Sequence, residues 1–238
     1  MQRGNTRDTF ERLRRELVSC KRCPRLVAFR ESIPPRASFR GQEYWRKPVP
    51  SFGDPDAWLL VLGLAPAAHG GNRTGRIFTG DRSAAFLMKV MWEAGLANRP
   101  TSVSRDDGLE LHGCYVSAVL KCVPPGDRPT PEELRNCRPF LQREIDLLPN
   151  LRAVVALGQL AFKAYLDAAR LRWRHTGKTP AFAHGARFVF DEGPRLYASY
   201  HPSPRNTNTG KLTEKMLLSV FEEARSDDRK IQNPQTSK

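Results

Sequence analysis

Five uncharged residues, Trp58-Leu59-Leu60-Val61-Leu62, run straight into Gly63-Leu64-Ala65-Pro66-Ala67-Ala68-His69-Gly70. That junction limits the folds open to this chain more than any other stretch. A short, continuous, charge-free apolar run is a strand buried on both faces, the form strands take in parallel sheets. The loop of small residues leaves its carboxyl end, where open α/β sheets form ligand crevices because neighbouring crossovers diverge. A second strand-like run, 195–200, ends in another special loop, His201-Pro202-Ser203-Pro204. Two strand ends carrying such loops predict one site assembled from both.

Further strands are expected at 115–120 and 153–157, with a hairpin-like strand near 187–190. Asp8 and Glu11 suit the start of a first helix, which should end before the Cys20-x2-Cys23-Pro24 turn. Residues 31–56, rich in proline, arginine and aromatics, read as a long connection laid on the surface. Helices are expected over 83–96, 159–169 and 216–224. Another should open at Thr130-Pro131-Glu132-Glu133, which combines a cap, a proline at the first turn and a capping-box glutamate. Pro139 should kink or split that helix. The alternation of β and α predicts a three-layer α/β/α sandwich in one domain over 1–225, followed by a polar, disordered tail at 226–238.

The chain carries a formal net charge of +14. Residues 1–50 hold thirteen Lys/Arg against five Asp/Glu, so +8 of that charge sits in about a fifth of the chain. Such an excess points to a polyanionic partner, although solubility alone is a competing reading. Residues 1–17 are charged throughout and lack the apolar core of a signal peptide. The longest uncharged apolar stretch, near 57–68, is too short to span a bilayer. An intracellular, cytoplasmic protein with no membrane contact is expected.

Five cysteines in a reducing compartment argue for metal or cluster ligation over disulfides. Cys20 and Cys23 form one pair; Cys122 and Cys137 lie a hundred residues on, with Pro124-Pro125 turning the chain between them. Four thiolates from two distant segments suit tetrahedral zinc or an iron–sulfur cluster, and spacing does not separate the two. Cys114 has no partner at ligand spacing and reads as a buried small hydrophobe.

Three motifs in order, GLAPAAHG with NRTGRIFTGD, KCVPPGDRPTPEE, and HPSPRNTNTGKLT, resemble the uracil-DNA glycosylase superfamily, and most closely its family 5, the type b enzymes. The resemblance runs from Cys20 to about residue 220. It implies a central four-stranded parallel sheet between helices and a peripheral structural [4Fe–4S] cluster on Cys20, Cys23, Cys122 and Cys137, with zinc as the lesser alternative. It also implies a monofunctional glycosylase that excises uracil, with hypoxanthine or xanthine, from double- or single-stranded DNA and so starts base-excision repair. Such a protein would be a nucleoid-associated monomer.

A glycosylase turns its base out of the stack and holds it in a snug pocket. The breaking bond puts positive charge on the sugar and negative charge on the leaving base, which placed dipoles and charges stabilise. His201 suits a hydrogen bond to uracil O2. Asp81, the one carboxylate of the first motif, either handles the attacking water or caps the next helix. Phe78 suits stacking on the flipped base. Gly63, Leu64, Ala65, Ala67 and Ala68 leave room for it, and the alanines stand where other families of the superfamily carry a water-activating residue. His69 lines the pocket or binds phosphate. Ser117 stands where uracil-specific families place an asparagine, so discrimination should relax. Asp127 stands where the family more often has asparagine. Pro202, Ser203, Arg205, Asn206, Asn208 and Lys211 form a loop suited to clamping DNA. No lysine shows the pattern of a Schiff-base nucleophile. The reading from another class is a non-catalytic iron–sulfur protein that binds nucleic acid.

Overall fold

A computed structural model of the protein describes residues 8–173 and 181–232. Among them, β2 (Leu59–Gly63), β3 (Cys114–Ala118), β4 (Ala153–Leu157) and β6 (Arg195–Ser199) are parallel and almost wholly buried. β1 (Phe52–Gly53) pairs antiparallel with β3, and β5 (Arg187–Phe188) with β6. The sheet order is β1-β3-β2-β4-β6-β5. The expected four-stranded parallel sheet is thus the inner part of a six-stranded mixed one. Two residues are too few to show a period, so β1 leaves no sequence signal.

The alternation of side chains along each strand divides the core in two. Leu59, Val61, Val116 and Val155 face α4 (Arg82–Glu93) and α8 (Glu214–Gln232), through Leu87, Met88, Met91, Val220 and Phe221. Leu60, Leu62, Val154 and Leu196 face α5 (Pro131–Asp146) and α6 (Gln159–Ala169), through Leu141, Ile145, Phe162 and Tyr165. The three-layer α/β/α arrangement follows. Outside it, α1 (Phe10–Val18) packs Leu13 and Leu17 on Phe140 of α5, and Thr9 rather than Asp8 caps it.

α5 begins with the expected capping box. It does not split at Pro139. An interior proline costs a free helix about 3 kcal/mol, but Phe140 is buried against α1 and Leu141 and Ile145 against the sheet. Packing on two sides holds the helix across it.

The chain from 226 is not a tail as far as it is described. α8 runs on to Gln232, and residues 233–238 lie outside the described residues. Asp227 and Asp228 are buried. Asp227 Oδ2 accepts from Tyr197 Oη at 2.8 Å and Arg187 Nη1 at 2.6 Å, and Arg152 donates to Asp228. The run Arg-Ser-Asp-Asp-Arg-Lys looks solvated because its partners are far away in sequence. The 31–56 connection is likewise only partly superficial. It is preceded by a helix that the sequence reading did not expect, α2 (Pro24–Ser32), which follows the Cys-x2-Cys turn, and within it Ile33, Tyr44 and Val49 are buried. No helix of the described residues is long and apolar enough to cross a membrane.

Candidate active site at the carboxyl edge of the sheet

β2 leads to β3 on one side and the chain then crosses to β4 on the other, so the order reverses between β2 and β4. Crevices form at such a reversal. Gly63 closes β2, Gly158 follows β4 and His201 follows β6, all at the carboxyl edge. A β-carbon on Gly158 would stand 3.2 Å from His201 Cβ.

Phe78 is buried and holds a left-handed φ of 46°. For a bulky residue this costs about 1–3 kcal/mol and marks a constrained site. Its ring lies over Gly63, where a β-carbon would come within 2.7 Å of Cε2 and Cζ. The ring also lies 6.2 Å from that of His201, tilted by 31°. Gly63 is therefore glycine to admit the aromatic wall. Phe78, which the sequence reading assigned to stacking, and His201, which it assigned to a base carbonyl, thus stand side by side.

Burial pushes the His201 imidazole down to about 4, so it is neutral at ordinary pH. Asn206 Nδ2 donates to the His201 carbonyl at 2.8 Å. No hydrogen bond from another described residue reaches the His201 ring. One residue of the expected DNA loop thus steadies the backbone at the histidine.

Asp81 serves as the cap of α4, its Oδ1 accepting from Ala84 N at 2.9 Å. The cap uses one oxygen; the other, Oδ2, lies against Gly70, where a β-carbon would overlap it. Burial raises the Asp81 pKa, opposed by the backbone donors Ala84 and Ser83 and by the nearby Arg73. The alternatives of cap and site carboxylate are compatible, one for each oxygen.

Arg73, which sequence reasoning passed over, holds this loop together. Its Nε donates to His69 O at 2.8 Å, Nη2 to Gly80 O at 3.0 Å and Nη1 to Gln42 Oε1 at 3.0 Å. Its guanidinium stacks 3.9 Å from the centre of the Phe39 ring. His69 is held by Tyr44, whose hydroxyl lies 2.9 Å from Nδ1. Burial lowers its pKa, helped by Arg36 and Arg73. An arginine inside the Asn72-Arg73-Thr74-Gly75 turn was the available signal.

The remaining loop residues are placed by backbone. Val119 N and Leu120 N donate to Gly63 O and Leu64 O at 3.0 and 2.9 Å. Ala67 O accepts from Gly70 N and Asn72 N, starting the short helix α3 (Gly71–Thr74). Ala65 and Ala67 are partly or fully exposed, and Ala68 packs on Ile33, Tyr44 and Val123. Asp127 is exposed in a turn after β3, with a φ of 56°.

Ser117 is not at this site. Its hydroxyl lies 2.6 Å from Glu144 Oε2, 2.7 Å from Lys121 Nζ and 2.9 Å from Ser51 Oγ. Lys121 and Glu144 form a buried ion pair at 2.8 Å. Strand periodicity turns Ser117 towards α5 with Tyr115, beneath the sheet, where a small hydroxyl satisfies the pair.

In the 200–213 loop, Pro202 is buried and Ser203 O accepts from Thr207 Oγ1 at 3.2 Å at the start of α7 (Pro204–Asn208). Asn208 Oδ1 accepts from Arg82 Nη2 at 3.2 Å, Lys211 Nζ lies 4.7 Å over the Tyr200 ring, and Arg205 is exposed.

The four cysteines come together away from this edge. Cys20, Cys23, Cys122 and Cys137 all line one cavity, of ≈ 350 Å³ including its open mouth, with Arg30, Lys121 and Asn136. Arg30 Nη1 donates to Cys122 Sγ at 3.0 Å, Lys121 N to Cys137 Sγ at 3.3 Å and Asn136 Nδ2 to Cys23 Sγ at 3.7 Å. Burial raises Cys122 to about 11, against the lowering effect of Arg30, and Cys137 to about 12, against that of Lys121. No three metal-ligating side chains of the described residues gather as closely as a single ion requires. Cys114 lies apart, buried, its thiol donating to Leu96 O at 3.5 Å.

Comparison with known proteins places these features. A family model described as the Uracil DNA glycosylase superfamily matches residues 50–225. A type-5 uracil-DNA glycosylase of Pyrobaculum aerophilum is 50% identical over 211 residues, 89% of this chain and 90% of that protein. One from Thermus thermophilus is 50% identical over 88% of this chain and 94% of its own length. A third, from Mycobacterium bovis, is 46% identical over 87% of this chain and 77% of its own.

Proposed function

The chain belongs to the uracil DNA glycosylase superfamily, and from that premise we propose that it hydrolyses the N-glycosidic bond of uracil in DNA, and of the deaminated purines hypoxanthine and xanthine. The observation that carries this reading is the joining, at one sheet edge, of Phe78, a neutral His201 and the second oxygen of Asp81. The flipped base stacks on Phe78 above Gly63. His201 donates a hydrogen bond to the carbonyl oxygen on which negative charge builds as the bond breaks. A neutral imidazole suits this task, because it donates without handing a full proton to a weakly basic oxygen. Ionised Asp81 orients water through Oδ2 and favours the sugar cation. A water proton then passes to the carboxylate or to solvent, giving an abasic sugar and free base with no strand break.

Breadth of substrate follows from what the pocket lacks. With Ser117 committed to Lys121 and Glu144 beneath the sheet, that strand sends no amide to the pyrimidine edge. Stacking and one carbonyl contact then tolerate a purine ring. Arg205, Arg82 and Lys211 are placed to meet phosphates beside the site. The non-catalytic rival gains nothing from the geometry, since it has no use for a buried neutral histidine beside the Phe78 ring.

The four cysteines fit an iron–sulfur group. The donors are all thiols from two distant segments, they line one cavity, and a buried guanidinium with an unsatisfied Nε lines it with them. A single zinc ion would need the ligands closer. Such a group would tie α1, α2, β3 and α5 together in a structural role and leave the glycosidic chemistry to the carboxyl edge.

The test is excision on matched oligonucleotides carrying uracil, hypoxanthine, xanthine or no lesion, scored by breaks before and after alkali. Breaks only at lesions and only after alkali are expected. Binding without breaks on any lesion would return the non-catalytic reading.

A further inference from the structure

Arg30 is a buried cation without a matching carboxylate. It is 3% exposed, and its ion pair with Glu31 is long, 3.7 Å, to a carboxylate that is itself largely in water. Its Nε is buried with no hydrogen-bond partner. An isolated charge at such a position costs several kcal/mol or more unless an opposite charge accompanies it. The guanidinium points into the cysteine cavity and donates through Nη1 to Cys122 Sγ at 3.0 Å. Four thiolates around a dicationic metal centre would supply the opposite charge that this guanidinium lacks, because the assembled group carries net negative charge.

We propose that Arg30 is the counter-ion of the four-cysteine centre. Its positive charge offsets the anionic group through Cys122, holds the metal against loss and, where the group is iron–sulfur, raises the potential at which it accepts an electron. The inference rests on the cysteine-centre reading above. Arg30 also joins this centre to the catalytic loop. Asn72 Nδ2 donates to Arg30 O at 3.2 Å, while Asn72 N donates to Ala67 O at 3.0 Å and Arg46 N to Asn72 O at 3.1 Å. The helix that carries the counter-ion therefore also supports the turn at Gly70, beside Asp81.

The full chain, purified anaerobically, tests this in three forms: wild type, Arg30→Met and Arg30→Lys. Metal content and visible absorption of wild type come first and judge the cysteine-centre reading without reference to Arg30. Loss of metal to a chelator and the one-electron reduction potential then judge Arg30. Arg30→Met should lose metal at least tenfold faster. Its reduced-to-oxidised ratio at fixed potential should fall about tenfold, a shift of about 59 mV to lower potential. Arg30→Lys, which keeps the charge without the planar fork, should lie between. A Met variant within twofold of wild type in both readouts overturns the proposal. Should Arg30→Met not fold, Arg30→Gln carries the same expectation. A zinc centre leaves the chelator arm to decide alone. A wild type with four titratable free thiols and no metal overturns the centre and the counter-ion together.

Discussion

The two ends of the parallel strands treat their carboxylates in opposite ways. At the amino edge, Asp227 is held by Tyr197, Arg187 and Arg195, and its pKa stays low. Asp228 has Arg152. At the carboxyl edge, Asp81 keeps only backbone donors and the charge of the nearby Arg73, and burial raises its pKa. His201, on the same edge, is held neutral by burial. One end is arranged so that folding satisfies its charges; the other leaves polar atoms for a ligand to satisfy. The first reads as stability and the second as function.

Breaking the carboxyl edge at its carboxylate should have the largest effect. Asp81→Asn is expected to lower excision by roughly 10²–10⁴, the range of a lost acid–base or charge contribution. Asparagine caps helices as well as aspartate, so thermal stability should hold or rise, the raised pKa meaning that the ionised form costs stability at neutral pH. Unfolding and excision assays run in parallel decide it; activity that survives with stability intact would leave Asp81 as a cap alone.

The amino edge should respond the other way. Asp227→Asn removes the charge shared by two part-exposed arginines and is expected to cost about 2 kcal/mol, with excision per folded molecule unchanged. The Asp227 pKa is depressed in the fold, so its contribution is present above the ordinary carboxylate range and is lost as pH falls through the folded value. Urea unfolding followed from pH 7 into the acid range should therefore show the mutant's deficit in full at pH 7 and shrinking as pH falls below the ordinary carboxylate range.

Gly63→Ala sharpens the comparison within the carboxyl edge. The added methyl meets the Phe78 ring, and a displaced ring should lower kcat/KM about tenfold while adding at most about 1–3 kcal/mol of strain. Equal kcat/KM in the two proteins would remove Phe78 from the base site.

His201 gives the pH signature. Its folded pKa of about 4 lies below the unfolded 6.5, so the fold binds fewer protons between those values and loses stability as pH falls from 6.5 towards 4. His201→Asn should flatten that part of the stability curve, read as the difference between the two proteins. The smallest effect is expected at Lys211, whose exposed cation–π contact with Tyr200 contributes about 0.5–1 kcal/mol. Lys211→Ala should reduce the salt dependence of DNA binding by about one phosphate contact and leave kcat alone.

Much of this was legible before folding. The run into Gly63, the capping box at Thr130 and the proline turn after His201 are local signals, and each stands where it was read. So does the gathering of four cysteines from two segments. The place of Ser117 was not legible because position along a strand does not tell which face a residue takes, and Lys121 and Glu144 bind it from positions 4 and 27 residues away. The bond from Asn206 to the His201 carbonyl was not foreseen, since an amide finds a carbonyl as readily as a phosphate. Arg73 and Arg30 were missed because an arginine in a basic chain looks like surface charge until its burial is known.

The sequence by itself determined the α/β alternation, the two loops that build the site and the thiols that gather, because periodicity, caps and turns act over a few residues. Only the tertiary structure decided that Asp81 caps α4 through one oxygen and turns the other towards Gly70, and that α8 continues past 225 to pair Asp227 and Asp228. It alone set the Arg30 cation against Cys122, 92 residues away. Each of these depends on burial and on partners distant in the chain, and the desolvation of a charge is a property of the packed molecule rather than of any local stretch.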